Sequence, residues 1–474
     1  MSNTRWPPIQ VVTPMPPVRS GIAKYSADLL EAIGNQWHMQ VVMDGTATGR
    51  RSRLPGRPGL GRFDSTAPIV FQVGNSGFHS LAFHNAARSR GVLVLHDVVV
   101  HHGRLAEFVR ERRGRSYRKL MSTRYGESGA TLAKQSLRGH VPADLSAYPL
   151  SEDFIEAARV TVVHSQHARA LVEHLVPGAK VAVVPMGVPL PAGVDQRDAR
   201  ETLGMPRDAF IVASVTHVNP YKRLDVVIRA LSRLLDVVPD ALLVVAGSLA
   251  PGVELKRIAA LYGVSHRVQL LGYVGDEEAR LVAQAADVCV NLRHPSTGET
   301  SASLLRLIGA GKPVLVTDHE TTREYPSDVV LRVPVDAFEE EMVAELLVTL
   351  AQDSGMRGRI GAAARDFVAR EHSMDIAVEG YRRILEREYG LNLPVVAAGN
   401  RHEHVPALSV SHGVDDREYS WIERELVNAL AGSGVGDMSV TIDAAVRGIR
   451  DLRLDRFTAD TWGAAPDDTT GRRS

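Results

Sequence analysis

Short runs of β-branched residues, each followed by a stretch with helical spacing, recur along most of this chain. Apolar runs fall at 9–12, 39–43, 69–74, 92–97, 160–165 and 181–185. Residues 185–191, Pro-Met-Gly-Val-Pro-Leu-Pro, then form a linker, and the alternation starts afresh. Its second round has runs at 210–215, 242–246, 268–271, 288–292, 314–317 and 329–333. Between the first two of these, Leu224, Val227, Ile228, Leu231, Leu234 and Leu235 share one helical face. Strands that alternate with helices, with no hairpin signals, point to mostly parallel sheets. The expected fold class is therefore α/β, in two similar halves joined by a linker, and such halves bind ligands in the cleft between them.

A length of 474 residues fits two large domains with additions. Basic and acidic residues number 55 each, which argues against a general nucleic-acid binder. The single cysteine, Cys289, lies inside an apolar strand. It excludes an internal disulfide framework and a Cys-rich metal site, and it suits a reducing compartment. Residues 1–10 hold no apolar signal core, and no window approaches 18 uninterrupted apolar residues. We expect a cytoplasmic protein.

Chemistry is expected at the carboxyl ends of the strands. Between the run at 288–292 and the helix containing Leu304, Leu305, Leu307 and Ile308 lies Ser-Thr-Gly-Glu-Thr-Ser, residues 296–301. Backbone N–H groups near Gly298, Thr300 and Ser301 suit an anion, and Glu299 is the one acid among hydroxyls. An ordinary helix cap by Ser301 or Ser303 is the alternative. After the first strand, a Pro-rich loop ends at Ser20-Gly21 and leads into a helix with Tyr25, Leu29, Leu30 and Ile33 on one face. Gly21 would let a ligand approach the backbone there. His96 and Asp97 end the fourth strand. The set His96, Asp97, His101 and His102 has no turn that would converge metal ligands, and no metal site is expected.

Two segments read as surface. Residues 46–66 hold five Arg, four Gly and two Pro without periodicity, as in a flexible insertion. A helix is expected over 103–125, with eight Arg or Lys against two Glu. It is either a solvated face or a surface that meets an anionic or lipid-linked acceptor at a membrane. Beyond Leu393-Pro394, helices are expected at 418–430 and 440–452, where they offer an oligomer contact, and the polar end from 464 is expected to be disordered.

Four of these segments, in order, resemble the retaining glycosyltransferases of family four. Residues 14–26 are similar to the family's first loop, and Leu95-His96-Asp97 to its His-containing strand end. Asn219-Pro220-Tyr221-Lys222-Arg223-Leu224-Asp225 is similar to its donor-phosphate lysine segment. The 291–317 stretch is similar to its acidic signature, in a Gly-Glu-Thr-Ser variant. The resemblance covers about 9–390 and implies a GT-B fold of two Rossmann-like, doubly wound domains around a deep cleft. The expected divisions are an acceptor-side domain at 1–188 and a nucleotide-sugar domain at 189–373. A terminal helix at 374–395 returns toward the first domain, and 396–474 form a helical extension.

The resemblance also implies a hexosyl transfer from a nucleotide sugar to a glycan, lipid-linked or small-molecule acceptor, with retention and without a metal or other cofactor. Lys222 would neutralise the departing diphosphate, with hydrogen bonds from Gly21, Thr300 and Ser301. Glu299 would accept hydrogen bonds from sugar hydroxyls, and His96, facing the cleft, would contact the sugar or its phosphate. Two positions depart from the family. Aligning Gly311-Lys312-Pro313 puts Gly298 and Arg306 where the family carries two glutamates, and only Glu299, one place on, restores the first. Arg306 cannot accept hydrogen bonds from a ribose. His217 replaces an arginine that commonly precedes the lysine, leaving the diphosphate short of a charge unless His217 is protonated or Arg223 reaches in. An epimerase acting on nucleotide sugars and a catalytically silent scaffold are the alternatives.

Overall fold

A computed structural model describes residues 8–43, 59–60, 63–142, 144–190 and 193–396. The expected tail helices at 418–430 and 440–452 lie outside these residues. The first half carries β1 (Ile9–Val12), β2 (Met39–Val42), β3 (Gly59–Leu60), β4 (Ile69–Val73), β5 (Val92–Leu95), β6 (Val160–Val163) and β7 (Val181–Val183). Its helices are α1 (Gly21–Ile33), α2 (Ser80–Ala86), α3 (His101–Arg110), α4 (Gly114–Ser136), α5 (Glu152–Ala157) and α6 (Gln166–Leu175). The seven strands form one sheet in the order β3-β2-β1-β4-β5-β6-β7, and every pairing is parallel.

The second half carries β8 (Ile211–Val215), β9 (Leu242–Ala246), β10 (Val268–Gly272), β11 (Val288–Asn291), β12 (Val314–Thr317) and β13 (Leu331–Val333). Around them are α7 (Gln196–Thr202), α8 (Leu224–Val237), α9 (Leu255–Leu261), α10 (Asp276–Ala285), α11 (Ala302–Gly309), α12 (Glu320–Arg323), α13 (Glu339–Gln352), α14 (Ser354–Glu371) and α15 (Met374–Tyr389). The sheet order is β10-β9-β8-β11-β12-β13, again parallel. In each sheet the strand order reverses once, beside β1 and β4 in the first and beside β8 and β11 in the second. Loops leaving the carboxyl ends at such a reversal diverge and open a crevice, so the topology itself selects the loops after these strands.

The chain crosses between halves twice. The linker strand position Val188 bridges to Ser373, and Val188 N–H donates to the His372 carbonyl at 2.9 Å. Gly187 is required at this crossing, because a Cβ there would lie 2.8 Å from that of Ala377. α15 then packs back on the first half. Its Tyr381 hydroxyl lies 3.1 Å from that of Tyr25, and Tyr389 donates to the Ile69 carbonyl at 2.9 Å. The cluster around α1, α11, α14 and α15 is therefore one apolar core spanning both halves.

Two sequence expectations need correction. The basic segment at 103–125 is two helices, α3 and α4, broken at Glu111–Arg113, where Arg112 adopts φ 56°. Gly126, at φ 64°, interrupts α4 in turn, a conformation that glycine adopts without steric cost. The 46–66 segment, expected to be an irregular insertion, contributes β3, which pairs with Gln40 and Val41 of β2. Register rather than residue pattern makes that strand, since Gly and Leu carry no β signal.

Candidate functional site

At the second sheet's reversal point, the loop after β8 tightens into a 3-10 turn at Pro220–Lys222. Arg223 then takes a left-handed conformation, φ 52°, before α8 begins. The loop after β11 is tied to this turn, as His294 N–H donates to the Tyr221 carbonyl at 2.8 Å. Lys222 is only 5% exposed, and its ammonium has no salt bridge among the described residues. Burial and the charge of Arg293 hold its pKa well below the usual lysine value, with Glu299 and Asp97 opposing them.

Arg293, which the sequence reading passed over, leaves the end of β11, and its guanidinium Nη1 donates to Glu299. Thr297 gives that carboxylate two more bonds, from N–H and hydroxyl, both 2.7 Å long. Ser296 Oγ adds a fourth at 3.3 Å. Burial alone would raise the Glu299 pKa, but Arg293 and Thr297 hold it down at about 2. Three of these four bonds fall on Oε2, and Oε1 accepts from Arg293. Oε2 is therefore saturated by its own loop, and Oε1, beside Arg293, is the oxygen through which Glu299 could accept from a hydroxyl.

Ser301 caps α11, its Oγ accepting from Leu304 N–H at 3.3 Å, so the cap reading holds for that residue. Gly298 has φ 79°, and a Cβ there would lie 2.7 Å from Leu171 Cδ1 of the first half. Its role in the fold is close approach between the halves. The Thr300 hydroxyl, Arg293 Nε and His319 Nδ1 are buried without hydrogen-bond partners. All three come from the loops after β11 and β12, and a polar ligand there would satisfy such orphaned atoms.

From the first half, Asp97 stands at the end of β5 and accepts from Asn75 N–H at 2.8 Å. Burial, reinforced by Glu299, pushes its carboxyl up to about 6, while Asn75, Arg293 and Lys222 act in the other direction. Its electrostatic partners show that it and the Lys222 loop share one site across the halves. His96 does not face that site. It is 5% exposed, with Nε2 2.6 Å from Gln72 Oε1 and Nδ1 3.1 Å from His164 Nε2. Burial, then the nearby His164 and His79, hold its pKa well below the usual value, so the ring is neutral. Both residues lie just past β5, where the chain leaves the sheet, and Asp97 is the less buried of the two. Gly21 starts α1 in the open, since a Cβ there would meet nothing within 4 Å.

The two departures are also resolved in space. Arg223 does not reach in: its Nε donates to Glu339 at 2.7 Å and Nη2 binds the same carboxylate. His217 Nδ1 lies 2.8 Å from Ser248 Oγ, and its pKa is lowered by burial despite that bond. Arg223 is thus engaged with Glu339, and His217 with Ser248. Arg306 crosses the halves and binds Asp28 of α1 at 2.9 Å. Asp28 also pairs with Lys24 at 2.7 Å, which in turn reaches Asp276 of α10 at 3.0 Å. On the other side, the Glu324 carboxylate accepts from Gln166 and His167 N–H at the start of α6, at 2.9 and 2.7 Å.

His101 bonds Tyr148 and Tyr117 through its two nitrogens, so the His96–His102 set does not converge. Among the described residues, His84, Glu107 and Glu111 are the group whose atoms approach closely enough to hold a cation. There each ring nitrogen of His84 already meets a different carboxylate, at 3.0 and 3.2 Å. No described helix is long and apolar enough to cross a membrane.

Residues 195–367 match the family model of glycosyl transferases group 1. That segment contains His217, Lys222, Arg293, Glu299 and Arg306, and Asp97 lies outside it. The D-inositol 3-phosphate glycosyltransferase of Mycolicibacterium paratuberculosis is 33% identical over 250 residues, which is 49% of this chain and 54% of that protein. A GDP-mannose-dependent monoacylated alpha-(1-6)-phosphatidylinositol monomannoside mannosyltransferase of Corynebacterium glutamicum is 27% identical over 221 residues, 46% of this chain and 56% of that protein. The chain thus spans about half the length of the curated relatives it matches. Sucrose-phosphate synthase of Thermosynechococcus elongatus superposes with a TM-score of 0.61 at 15% identity, covering 81% of this chain and 99% of that one. HepE of Anabaena, in complex with UDP-glucose, gives 0.56 at 15% identity over 79% of this chain and 98% of that one. The fold is GT-B, as the two halves and their parallel sheets indicate.

Proposed function

We propose that this protein is a retaining glycosyltransferase that moves a hexosyl group from a nucleotide sugar to an acceptor hydroxyl, and that the reaction needs no metal. Lys222 carries the reading. A buried ammonium without a salt-bridge partner, at the reversal point of a parallel sheet, is an arrangement that a phosphate anion would stabilise. The match to glycosyl transferases group 1 over the same segment supports it. So do the relatives, whose names specify glycosyl transfer and, in one case, GDP-mannose as donor.

In the proposed reaction the bond from the anomeric carbon to the diphosphate oxygen breaks as the acceptor oxygen bonds to the same face of that carbon. The acceptor proton passes to the departing phosphate oxygen, so no protein nucleophile is required. Lys222 and the N–H groups around Thr300 and Ser301 at the start of α11 stabilise the charge that develops on the diphosphate. Gly21 leaves the backbone of the first loop open to the same ligand. Asp97, rather than His96, is the strand-end group that orients a sugar or acceptor hydroxyl. The exposed Arg112, Arg113, Arg115, Arg118, Lys119 and Arg124 of the α3–α4 region form the acceptor-side surface and meet an anionic or lipid-linked acceptor at the cytoplasmic membrane face.

The test is a panel of nucleotide sugars with released nucleotide as readout. We expect release with at least one donor and a thermal shift with its nucleoside diphosphate. No release with any donor, together with no thermal shift by any nucleoside diphosphate, would overturn the enzyme reading. Release with inverted product configuration would overturn retention alone.

A further inference from the structure

We infer that Arg293 is the second cation of the donor-diphosphate site, standing in for the charge that His217 and Arg223 fail to supply. The inference rests on the glycosyltransferase reading and adds a residue to it. Four observations carry it. The guanidinium carbon of Arg293 lies 5.8 Å from the centre of the Tyr221 ring, and Lys222 Nζ lies 5.2 Å from the same centre. Two cations are therefore gathered around one ring, on loops already joined by the bond from His294 N–H to the Tyr221 carbonyl. Second, only part of the guanidinium is used: Nη1 binds Glu299, while Nε is buried with no partner. A guanidinium presents its donors in a rigid fork, so fixing one corner aims the rest.

Third, the counter-ion is itself immobilised. Glu299 is held by Ser296 and Thr297 as well as by Arg293, which makes it a clamp on the guanidinium. Fourth, like charges in a site sheltered from water repel, and the Arg293 charge works against the ammonium of Lys222. A diphosphate entering between them turns that repulsion into attraction for both. The nearby acids do not remove this need: Glu299 is occupied, and the Asp97 carboxylate is held by Asn75 N–H from the opposite half. Lys222 and Arg293, gathered around Tyr221, are how this chain completes the site without the usual arginine.

The competing role for Arg293 is that of a structural counter-ion to Glu299 alone, and a substitution of Arg293 by itself would strand a buried carboxylate. The experiment therefore starts from Glu299→Gln, in which no counter-ion is needed, and compares it with Arg293→Gln/Glu299→Gln. Calorimetric titrations of the full chain with UDP, GDP, UMP and GMP provide the readout, with circular dichroism to verify folding. We expect the double variant to bind the preferred diphosphate about 10- to 100-fold more weakly than Glu299→Gln, the range for loss of a charged hydrogen bond. The monophosphate affinity should change far less, and Arg293→Lys in the Glu299→Gln background should restore part of the loss. Equal diphosphate affinity in Glu299→Gln and the double variant would overturn the role of Arg293. Absence of UDP and GDP binding by the unsubstituted protein would instead overturn the glycosyltransferase reading beneath it.

Discussion

At the residue scale, the site is a set of charges whose protonation each depends on the others. Asp97 shows the sign of that dependence most simply. Its folded-state carboxyl is pushed up to about 6, from 3.8, so the folded chain binds this proton more tightly than the unfolded one. Stability from this group is therefore lost as pH rises from about 4 to about 6. We expect Asp97→Asn to be more stable than the parent at pH 7 by about 1–2 kcal/mol, after allowing for the partial exposure of the carboxylate. The difference should vanish below about pH 4, where both side chains are neutral. Denaturant midpoints measured across this range provide the check, and a pH-independent difference would show that the carboxylate is not perturbed. Glu299 has the opposite sign: its stabilisation is full above 4.5 and is lost as pH falls toward about 2.

Elements carry the second level of constraint. Gly298 sits at φ 79° where the loop before α11 meets Leu171 of α6. Gly298→Ala combines left-handed strain of about 1–2 kcal/mol with displacement of Leu171. We expect a lower melting temperature and a raised KM for the donor with a smaller change in kcat; an unchanged KM would separate this loop from donor binding. Elements were also the most legible part of the sequence. The runs at 242–246 and 314–317 coincide with β9 and β12, and Ser301 caps α11, because burial on both faces writes these features into residue type. What the sequence did not disclose depends on loop path and register. Arg293 and Glu299 are six positions apart without periodicity, and only the path of the loop between them brings them together. His96 and Asp97 are adjacent just past β5, and only their partners, Gln72 and His164 for one and Asn75 for the other, tell them apart. β3 has no residue signal at all, and the break at Arg112 lies in a run of helix-forming residues.

For the whole molecule, Arg306 is the informative residue. Where relatives of this fold class were expected to carry an acid, it spans the two halves and joins a chain of charges through Asp28 and Lys24 to Asp276. Asp28 is only 5% exposed, so reversing the charge opposite it is costly. Arg306→Glu would restore the family's usual acid and set it against Asp28. We expect the variant to separate the halves, seen as an increased radius of gyration by small-angle X-ray scattering, with Arg306→Gln showing a smaller increase. An unchanged radius for both would mean that the pair reports closure without maintaining it. Glu324 at the start of α6 and the α15 return both hold the halves independently, so the chain should remain folded.

The central claim is that the buried ammonium of Lys222 serves a leaving diphosphate. It is tested most directly by the rate of nucleotide release from the preferred donor, compared between the parent and Lys222→Ala at saturating acceptor. We expect the substitution to lower that rate by about a hundredfold or more, as removal of a preorganised charge from a dry site does, while leaving the fold intact. Release by Lys222→Ala at the parent rate would contradict the claim.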